Sequence, residues 1–481
     1  MSLERLASAC ILPGAAGLEA PEWLRREFAD GLGGVVLFSR NVRDREQLVG
    51  LTAALRAERD GVLVGIDEEG GDVTRLEAGP GSSYPGNLAL GAVDDVALTE
   101  RVGASIGADL VEVGINVDLA PVADVNTNPR NPVIGVRSFG SDPELVARHV
   151  AAFVTGLQRA GVVACAKHFP GHGATETDSH RELPTVGASL DELRRGELIP
   201  FAAAIEAGVR SIMTAHILVP AVDSVPATIS RAHLTGLLRE ELGYDGLVIT
   251  DALEMKAISA TVGVERGAVL ALAAGADALC LGHDLEGEAV ESVRHAIVTA
   301  VQNGELEEAR LAEAADRVVA AGEWSRRARD GATHDEAAGM LAAQRALRLE
   351  GDVPLGRPAF VVECVPERTM AADATRHGLG ELVRERDLGA KSVRVEAGVE
   401  DVAALLQAAD GRRVVLVVRD PQRHAWEREV AKQVLSLHPD TVVVDVGYPA
   451  WHVPGATAGI VTHGAARANL LAAAERLLGA T

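Results

Sequence analysis

Short apolar runs recur along the chain up to residue 282, and each is followed by a stretch with helical spacing. The runs that predict strands are Ala9–Leu12, Gly34–Phe38, Val62–Asp67, Ile115–Ala120, Val162–His168, Arg210–His216, Leu247–Asp251 and Ala278–Gly282. The amphipathic stretches between them include Asp44–Arg59, Leu98–Glu112, Pro143–Arg159, Leu190–Ala207 and Lys256–Gly275. Strands that alternate with helices predict a parallel sheet, and eight such units predict an α/β protein with a closed (β/α)8 TIM barrel.

A second alternation of predicted strands and helices begins after Gly356–Pro358, a segment that marks a boundary. Its predicted strands are Ala359–Glu363, Ser392–Val395, Val414–Arg419, Thr441–Val446 and Gly459–Thr462. A chain of 481 residues is also too long for one compact core. We therefore expect a barrel catalytic domain over residues 1–335, a linker over 336–357, and a smaller C-terminal α/β sandwich domain over 358–481.

Polar side chains gather where the predicted barrel strands end. They are Asp67, Asp118, Lys167, His168, His216 and Asp251. In a barrel the carboxyl ends of all strands meet at one face, where active sites are built. Each of these residues alone could be a helix cap or a turn carboxylate. Their shared position at strand ends instead predicts one pocket assembled from distant parts of the chain.

The stretch from residue 161 to residue 180 contains a dense group of titratable side chains. It begins as an apolar run that ends in Lys167 and His168. Pro170, Gly171 and Gly173 then favour a loop, and that loop also contains His172, Asp178 and His180. Titratable groups that cluster beside a buried strand more often mark a site than a solvated loop.

Composition narrows the possible partners. The formal net charge is −23, which disfavours nucleic acid and anionic membranes. The four cysteines are scattered, and three of them lie in or beside apolar runs, as buried cysteines do. The N-terminus lacks the pattern of a signal peptide and no apolar run is long enough to span a membrane, so we expect a cytoplasmic protein.

Several motifs resemble glycoside hydrolase family 3, in its β-N-acetylhexosaminidase branch and its two-domain form. The most specific is Lys167–Gly173 (KHFPGHG) followed by Asp178-Ser179-His180. The other segments that resemble the family are GGVVLFSRN at 33–41, IDEEGG at 66–71, RSFG at 137–140, LVITDALEM at 247–255 and the tail at 460–478. Asp72 departs from the family, which often has a basic residue after this Gly-Gly pair.

The resemblance implies a retaining β-N-acetylglucosaminidase. Such an enzyme needs a nucleophile on one face of the anomeric carbon and a proton donor on the other. Asp251, a carboxylate at a strand end, fits the nucleophile, and the family assigns it that role. The motif identifies His180 as the general acid/base, with Asp178 orienting the imidazole and stabilising its charged form.

The same resemblance assigns the remaining polar groups to the sugar. Asp67, Arg137, Lys167 and His168 are expected to bind hydroxyls through charge-assisted hydrogen bonds, and His216 and Met255 to line the site. No cofactor and no metal are expected. The expected partner is a small N-acetylglucosaminide from peptidoglycan, in a recycling role, or from chitin, and the expected protein is a monomer or a homodimer.

Other functions remain open from the sequence. His168, His172, His180, His216 and Asp251 could ligate a divalent cation in a metal hydrolase, although no HxH or HExxH pair is present. Asp251 and Glu254 only approximate the adjacent carboxylates of a substrate-assisted hexosaminidase. A non-catalytic sugar-binding protein is a third alternative. A phosphorylase is the fourth, because a neutral histidine does not repel phosphate as a second carboxylate would.

Overall fold

The computed structural model describes residues 1–179, 181–283, 287–328, 334–367, 378–398 and 401–479. These residues form two compact units. The first contains Met1–Glu69, Thr99–Ile134 and Ser141–Asp335, and the second contains Gly70–Leu98, Gly135–Gly140 and Glu336–Thr481. Segments 70–98 and 135–140 thus belong to the second unit, although they lie within the residues predicted as the first domain.

Most strands lie within the apolar runs of the sequence. The strands are β1 (Ile11–Pro13), β2 (Gly34–Leu37), β3 (Leu63–Ile66), β4 (Glu68–Gly70), β5 (Val73–Thr74), β6 (Val117–Asp118), β7 (Val163–Phe169), β8 (Ser211–Thr214), β9 (Leu247–Ile249), β10 (Leu279–Gly282), β11 (Arg348–Glu350), β12 (Ala359–Cys364), β13 (Lys391–Val395), β14 (Arg413–Val418), β15 (Val442–Asp445) and β16 (Ala458–Val461). All residues of β7 are buried, as expected for a strand covered on both faces.

The α-helices alternate with these strands. They are α1 (Leu3–Ala9), α2 (Glu22–Asp30), α3 (Arg45–Glu58), α4 (Asn87–Val93), α5 (Val96–Glu112), α6 (Pro143–Arg159), α7 (Leu190–Arg195), α8 (Leu198–Glu206), α9 (Lys256–Ser259), α10 (Val264–Ala274), α11 (Gly287–Gln302), α12 (Glu308–Arg327), α13 (Glu336–Ala346), α14 (Leu379–Arg386), α15 (Val402–Leu406), α16 (Ala425–Leu437) and α17 (Arg467–Leu477). A π-helix spans Ala232–Glu241, and short 3-10 helices span Ser39–Asn41, Gly135–Arg137, Ala227–Ile229 and Gln407–Ala409.

Two predicted helices are each divided in two. Leu190–Ala207 consists of α7 and α8, which are separated at Gly196. Lys256–Gly275 consists of α9 and α10, and Gly263 between them has a φ of +83°. Glycine adopts the positive φ of Gly263 at low cost, which accounts for the break between α9 and α10. By contrast, α6 has its predicted bounds, with Asp142 capping its first turn.

The strands of the first unit are parallel. One sheet has the order β2-β3-β6-β7-β8-β9, and β1 pairs with β10 in a separate ladder. The Ala278 N–H donates to the Val248 carbonyl at 3.0 Å, which connects β9 with the start of β10. At the opposite edge the Gly33 N–H donates to the Ser8 carbonyl at 3.0 Å, just before β1. The predicted α/β class with a parallel sheet is confirmed.

One hydrophobic core takes a side chain from each of eight parallel strands. These residues are Leu12, Val36, Leu63, Val117, Cys165, Met213, Ile249 and Cys280. Each is at most 4% exposed. Fully burying a side chain of this size stabilises a fold by roughly 1.5–3 kcal/mol, so the shared core is a large part of what holds the first unit together.

The second unit is built on a six-stranded sheet with the order β11-β16-β15-β14-β12-β13. Its strands are parallel except β11, which is antiparallel to β16. Alternate residues of the strands pack on opposite faces, with α14 and α17 against one core and α15 and α16 against the other. Strand β11 lies in the segment that was predicted to be a linker. The sequence did not predict this strand because its three residues are exposed and Arg348 and Glu350 interrupt the apolar pattern.

Asp72, the residue that departs from the family pattern, lies in the second unit with its side chain largely buried. Its carboxylate forms an ion pair with Arg419 and accepts the backbone N–H of Ala465 at 3.0 Å. Asp72 therefore connects the segment 70–98 to the sheet formed by the C-terminal part of the chain. A basic residue at this position would face Arg419 with the same charge.

Two sequence features bear on the environment of the protein. All four cysteines, Cys10, Cys165, Cys280 and Cys364, are buried thiols, as the apolar runs around three of them predict. Among the helices that the structure describes, none has the length and apolarity needed to cross a membrane.

Candidate active site

Strand β7 presents Lys167 to two carboxylates. The ammonium lies 2.7 Å from Asp67 Oδ1 and 2.7 Å from Glu69 Oε1, and the lysine side chain is 2% exposed. Asp67 follows β3 and Glu69 belongs to β4, so the predicted neighbours Asp67 and Lys167 are brought together by adjacent parts of the sheet. Such a buried ammonium is held in one position, and it fixes the Asp67 carboxylate at the strand end.

Asp118 supports this group from within the core. It is fully buried, and its Oδ1 accepts the Glu68 N–H at 3.0 Å. Burial raises the pKa of the Asp118 carboxyl well above its ordinary value, although the Glu68 N–H and the Lys167 ammonium act in the opposite direction. Asp118 therefore orients the turn between β3 and β4 rather than facing a ligand.

His168 is paired with Asp124, a residue that the sequence analysis did not select. His168 Nδ1 lies 2.7 Å from Asp124 Oδ2. The other carboxylate oxygen accepts the backbone N–H of His168 at 3.2 Å and that of His172 at 2.6 Å. Asp124 thus fixes both the ring of His168 and the start of the loop. Its position at the end of the apolar run Ala120–Ala123 was the signal that could have identified it.

His172 is buried inside the loop. Its Nδ1 lies 2.7 Å from Thr175 Oγ1 and its Nε2 lies 3.3 Å from Ser179 Oγ. Burial lowers the pKa of His172 to about 4, against the opposing effect of Asp124, so the ring is neutral near pH 7. Asn131 adds to the framework, because its Nδ2 donates to the His172 carbonyl at 2.9 Å. These contacts make His172 a structural partner of the loop.

The predicted acid/base pair is only partly described. Asp178 is partly buried, and its backbone carbonyl accepts the N–H groups of Arg181 at 2.9 Å and Glu182 at 3.1 Å. His180 lies outside the described residues. The pairing of Asp178 with His180 therefore stays a prediction.

Asp251 lies just after β9 and is partly exposed. Its Oδ1 accepts the Ala252 N–H at 2.8 Å, which fixes one carboxylate oxygen. Burial raises the pKa of the Cys280 thiol, and the charges of Asp251 and Asp67 raise it further. Both carboxylates therefore act on the same buried thiol of β10, which brings the predicted nucleophile and a predicted sugar ligand into one region.

His216 has a supporting position. Its side chain is buried, with Nδ1 at 2.7 Å from Thr228 Oγ1 and Nε2 at 3.0 Å from the Ala252 carbonyl. Ala252 is the residue whose N–H holds Asp251, so His216 connects the end of β8 to the segment after β9. This geometry favours a support for Asp251 over the predicted direct contact with substrate. Met255 is also buried, and its N–H donates to the Ala252 carbonyl at 3.0 Å.

Two other residues complete the inventory. Arg137 ends a 3-10 helix in the second unit, is partly exposed, and its carbonyl accepts Asn87 Nδ2 at 2.7 Å. Glu254, considered as a partner of Asp251, has its Oε1 on the His283 N–H at 2.8 Å. Within the described part of the chain, no three His, Cys, Asp or Glu side chains are grouped as metal ligands.

Comparisons with known proteins agree with this geometry. Residues 17–321 match the glycosyl hydrolase family 3 N-terminal domain. A β-hexosaminidase A of Pseudoalteromonas piscicida is 42% identical over 251 residues, which are 47% of this chain and 42% of that protein. A β-hexosaminidase of Chromobacterium violaceum is 41% identical over 253 residues, which are 51% of this chain and 70% of that protein.

A solved structure covers nearly all of both chains. It is a glycoside hydrolase family 3 β-N-acetylglucosaminidase from a Paenibacillus species, with a TM-score of 0.91 and 34% sequence identity. The match covers 100% of this chain and 97% of the Paenibacillus chain. The chain therefore belongs to glycosyl hydrolase family 3, in its β-hexosaminidase branch.

Proposed function

We propose that the protein is a retaining exo-β-N-acetylglucosaminidase that releases terminal N-acetylglucosamine from oligosaccharides. The observation that supports this most strongly is the position of Asp251. It is a partly exposed carboxylate at a strand end, and one of its oxygens is held by the Ala252 N–H. Its negative charge and that of Asp67 both raise the pKa of the buried Cys280 thiol. A fixed carboxylate beside other polar strand ends is what a glycosyl-ester mechanism needs.

The proposal includes a closed (β/α)8 barrel for the first unit. Two features support it. The eight parallel strands share one core, and the β1–β10 ladder lies beside both edges of the six-stranded sheet, with Ala278 bonded to Val248 of β9 and β1 next to β2. In such a barrel the strand ends that contain Asp67, Lys167, His168 and Asp251 lie on one face. We also propose a catalytic domain over 1–335 and a second domain over 358–481.

In the first chemical step a carboxylate oxygen of Asp251 attacks the anomeric carbon. The C1–O bond to the leaving group breaks, its electron pair passes to the leaving oxygen, and His180 donates a proton to that oxygen. In the second step His180 removes a proton from water, which attacks the anomeric carbon and releases Asp251 as a carboxylate. Both carbon substitutions invert the centre, so the product retains the β configuration.

The polar neighbours bind the sugar in this proposal. Asp67, aligned by Lys167, accepts hydrogen bonds from hydroxyls, and His168, aligned by Asp124, donates or accepts one. Arg137 is proposed as a further ligand on the strength of the resemblance alone. His216 and Met255 contribute indirectly, since both contact the backbone of Ala252 next to the nucleophile.

The substrate is proposed to come from peptidoglycan or chitin, and the enzyme to act in the cytoplasm without a cofactor or metal. The test is product analysis with a chitin disaccharide and a peptidoglycan disaccharide, in phosphate-free and in phosphate buffer. Release of free β-N-acetylglucosamine from either substrate supports the proposal. Formation of sugar 1-phosphate in phosphate buffer would instead establish a phosphorylase, and no cleavage of either substrate would contradict the proposed activity.

A further inference from the structure

Glu197 lies at the break between α7 and α8, where the sequence predicts an uninterrupted helix. Gly196 ends α7, and Glu197 is the residue that precedes the first turn of α8. The break directs a carboxyl group into the protein, since Glu197 is only 7% exposed. A buried glutamate without an ion pair is costly unless it is neutral, so its surroundings indicate its protonation state.

The Glu197 carboxyl group lies against the segment that contains Asp124. The backbone N–H of Val125 is near enough to the carboxyl group to lower its pKa. One oxygen, Oε2, is buried and has no hydrogen-bond partner within the part of the chain that the structure describes. A buried oxygen without a hydrogen-bond partner suits a neutral carboxyl group better than a carboxylate, which would leave a charge in that buried position.

The loop after β7 packs directly on this pair. A methyl group added to Gly171 would lie 2.6 Å from Glu197 Cβ, so only glycine permits this approach. Gly173 is pressed even more closely against the Val125 carbonyl. Asp124, next to Val125, holds the backbone N–H groups of His168 and His172. Glu197 therefore packs against the loop at Gly171 and against the segment that contains Asp124 and Val125.

The Asp124 carboxylate is a charged group near Glu197, and it disfavours ionisation of Glu197. Burial, together with the charge of Asp124, raises the pKa of Glu197 to about 8, against the opposing effect of the Val125 N–H. Beyond Asp124 lie His168, paired with it, and His172, whose pKa burial lowers to about 4. Ionisation of Glu197 would therefore add a second negative charge beside Asp124, next to an uncharged His172.

We propose that Glu197 is a positioning residue, which in its neutral form holds Asp124 and the loop from His168 to Gly173 in the arrangement that binds the sugar. Loss of its proton repels Asp124 and loosens that arrangement, so Glu197 sets the alkaline limit of activity. The inference rests on the proposed glycosidase function, because the loop is read as part of the sugar site.

The test compares Glu197→Gln, which has the shape of the neutral carboxyl group, with the wild type. We expect wild-type kcat/KM for an aryl N-acetylglucosaminide to fall about tenfold per pH unit above roughly pH 8, whereas Glu197→Gln retains its neutral-pH value at least one unit further. The matched control is Glu206→Gln, an exposed glutamate at the end of α8, which should follow the wild type. Parallel profiles for the wild type and Glu197→Gln would overturn the inference.

Thermal unfolding gives a readout that needs no turnover. A carboxyl whose folded pKa is raised from 4.5 to about 8 stabilises the protein below pH 4.5, and this contribution is lost as the pH rises through about 8. The Tm of Glu197→Gln relative to wild type should therefore increase between pH 5 and pH 9. An unchanged difference would also overturn the inference. An inactive wild type, by contrast, would refute the proposed function and leave this stability result to stand by itself.

Discussion

Lys167 is the residue whose role is set most clearly by its surroundings. Its ammonium is buried between the carboxylates of Asp67 and Glu69, each at 2.7 Å. Lys167 and Glu69 are buried and Asp67 is partly exposed, so the ammonium offsets much of the cost of holding two carboxylates away from water. The same ion pair holds the Asp67 carboxylate at the strand end, so stability and the proposed alignment of the sugar depend on one side chain.

Replacement of Lys167 by methionine should therefore destabilise the fold. Removing one member of a buried ion pair typically costs about 3–5 kcal/mol, because the partner charges are left uncompensated. The measurement is the free energy of unfolding from urea denaturation. Lys256→Met is the matched control, since Lys256 is exposed and its loss should change the free energy of unfolding by no more than about 0.5 kcal/mol. Equal effects of the two replacements would show that the Lys167 ion pairs contribute nothing net.

The proposed proton donor makes a prediction that depends on the leaving group. A sugar alcohol leaves only when protonated, whereas an activated phenol leaves almost unaided. His180→Ala should therefore lower turnover of a natural disaccharide by about 10²–10⁴, and should lower glycosylation by an activated aryl glycoside much less. Asp178→Ala should show a milder form of the same pattern. Equal losses on both substrates would mean that His180 is structural.

At the scale of elements, the loop after β7 is defined by what it packs against. Asn131 Nδ2 donates to the carbonyls of His172 at 2.9 Å and Gly173 at 3.1 Å, and Asp124 accepts the N–H of His168 in β7 and that of His172 in the loop. The loop is thus shaped by segment 124–131, which follows the neighbouring strand β6. Loops fixed by such main-chain contacts keep catalytic side chains in place without a regular element.

Gly173→Ala tests this packing. The added methyl group would collide with the Val125 carbonyl, so the loop would have to move away from segment 124–131. We expect at least a tenfold loss of kcat/KM together with a lower Tm. Gly187→Ala is the control from the same connection, because a methyl group there would have no atom of the described residues within 4 Å, apart from its own chain neighbours. If Gly173→Ala retained full activity, the close packing of the loop would be unimportant for the site.

The elements that could be read from the sequence are those with an apolar run of their own. Strands such as β2, β3 and β7 are buried throughout, so their sequences are mostly apolar and predict strands. Strand β11 is exposed and polar, and its place in a sheet is decided by its partner β16. No local pattern distinguishes such an edge strand from a linker.

The residues of the candidate site also differ in how much of their role the local sequence reveals. Asp67, Lys167 and Asp251 were predicted because each is a polar residue that ends an apolar run. Asp124 also ends an apolar run, but that position alone does not reveal its pairing with His168, which is distant in the chain. Glu197 lies within a helical pattern and has no such local signal. His216 was found by its strand-end position, but only its partners Thr228 and Ala252 show what its ring contacts.

At the scale of the whole molecule, the second unit includes a segment from the middle of the catalytic region. Segment 70–98 is joined to the C-terminal sheet and its helices at three points. Asp72 pairs with Arg419, the Ser82 carbonyl accepts the Ala468 N–H at 3.2 Å, and Asp95 lies 2.7 Å from Arg345. The C-terminal part of the chain thus supports residues that precede it by hundreds of positions.

A chain truncated after residue 335 should accordingly be less stable than the full chain. Segment 70–98 would lose all three contacts and leave Asp72 without its cation. We expect a lower Tm and protease cleavage within 70–98, whereas substitution of the polar residues of 445–463 in the full chain should leave turnover intact. A truncated chain that resists protease as the full chain does would show that the C-terminal part does not support the segment.

The central claim is that Asp251 forms a covalent ester with the sugar. The most direct measurement uses His180→Ala, in which an activated aryl N-acetylglucosaminide still glycosylates the enzyme but water attack is slow. Acid quenching and peptide mass spectrometry should find one N-acetylhexosamine on the peptide that contains Asp251, and azide should remove it. The adduct should be absent in the double variant with Asp251→Ala. An adduct on another residue, or turnover through an oxazoline with no adduct at all, would contradict the account.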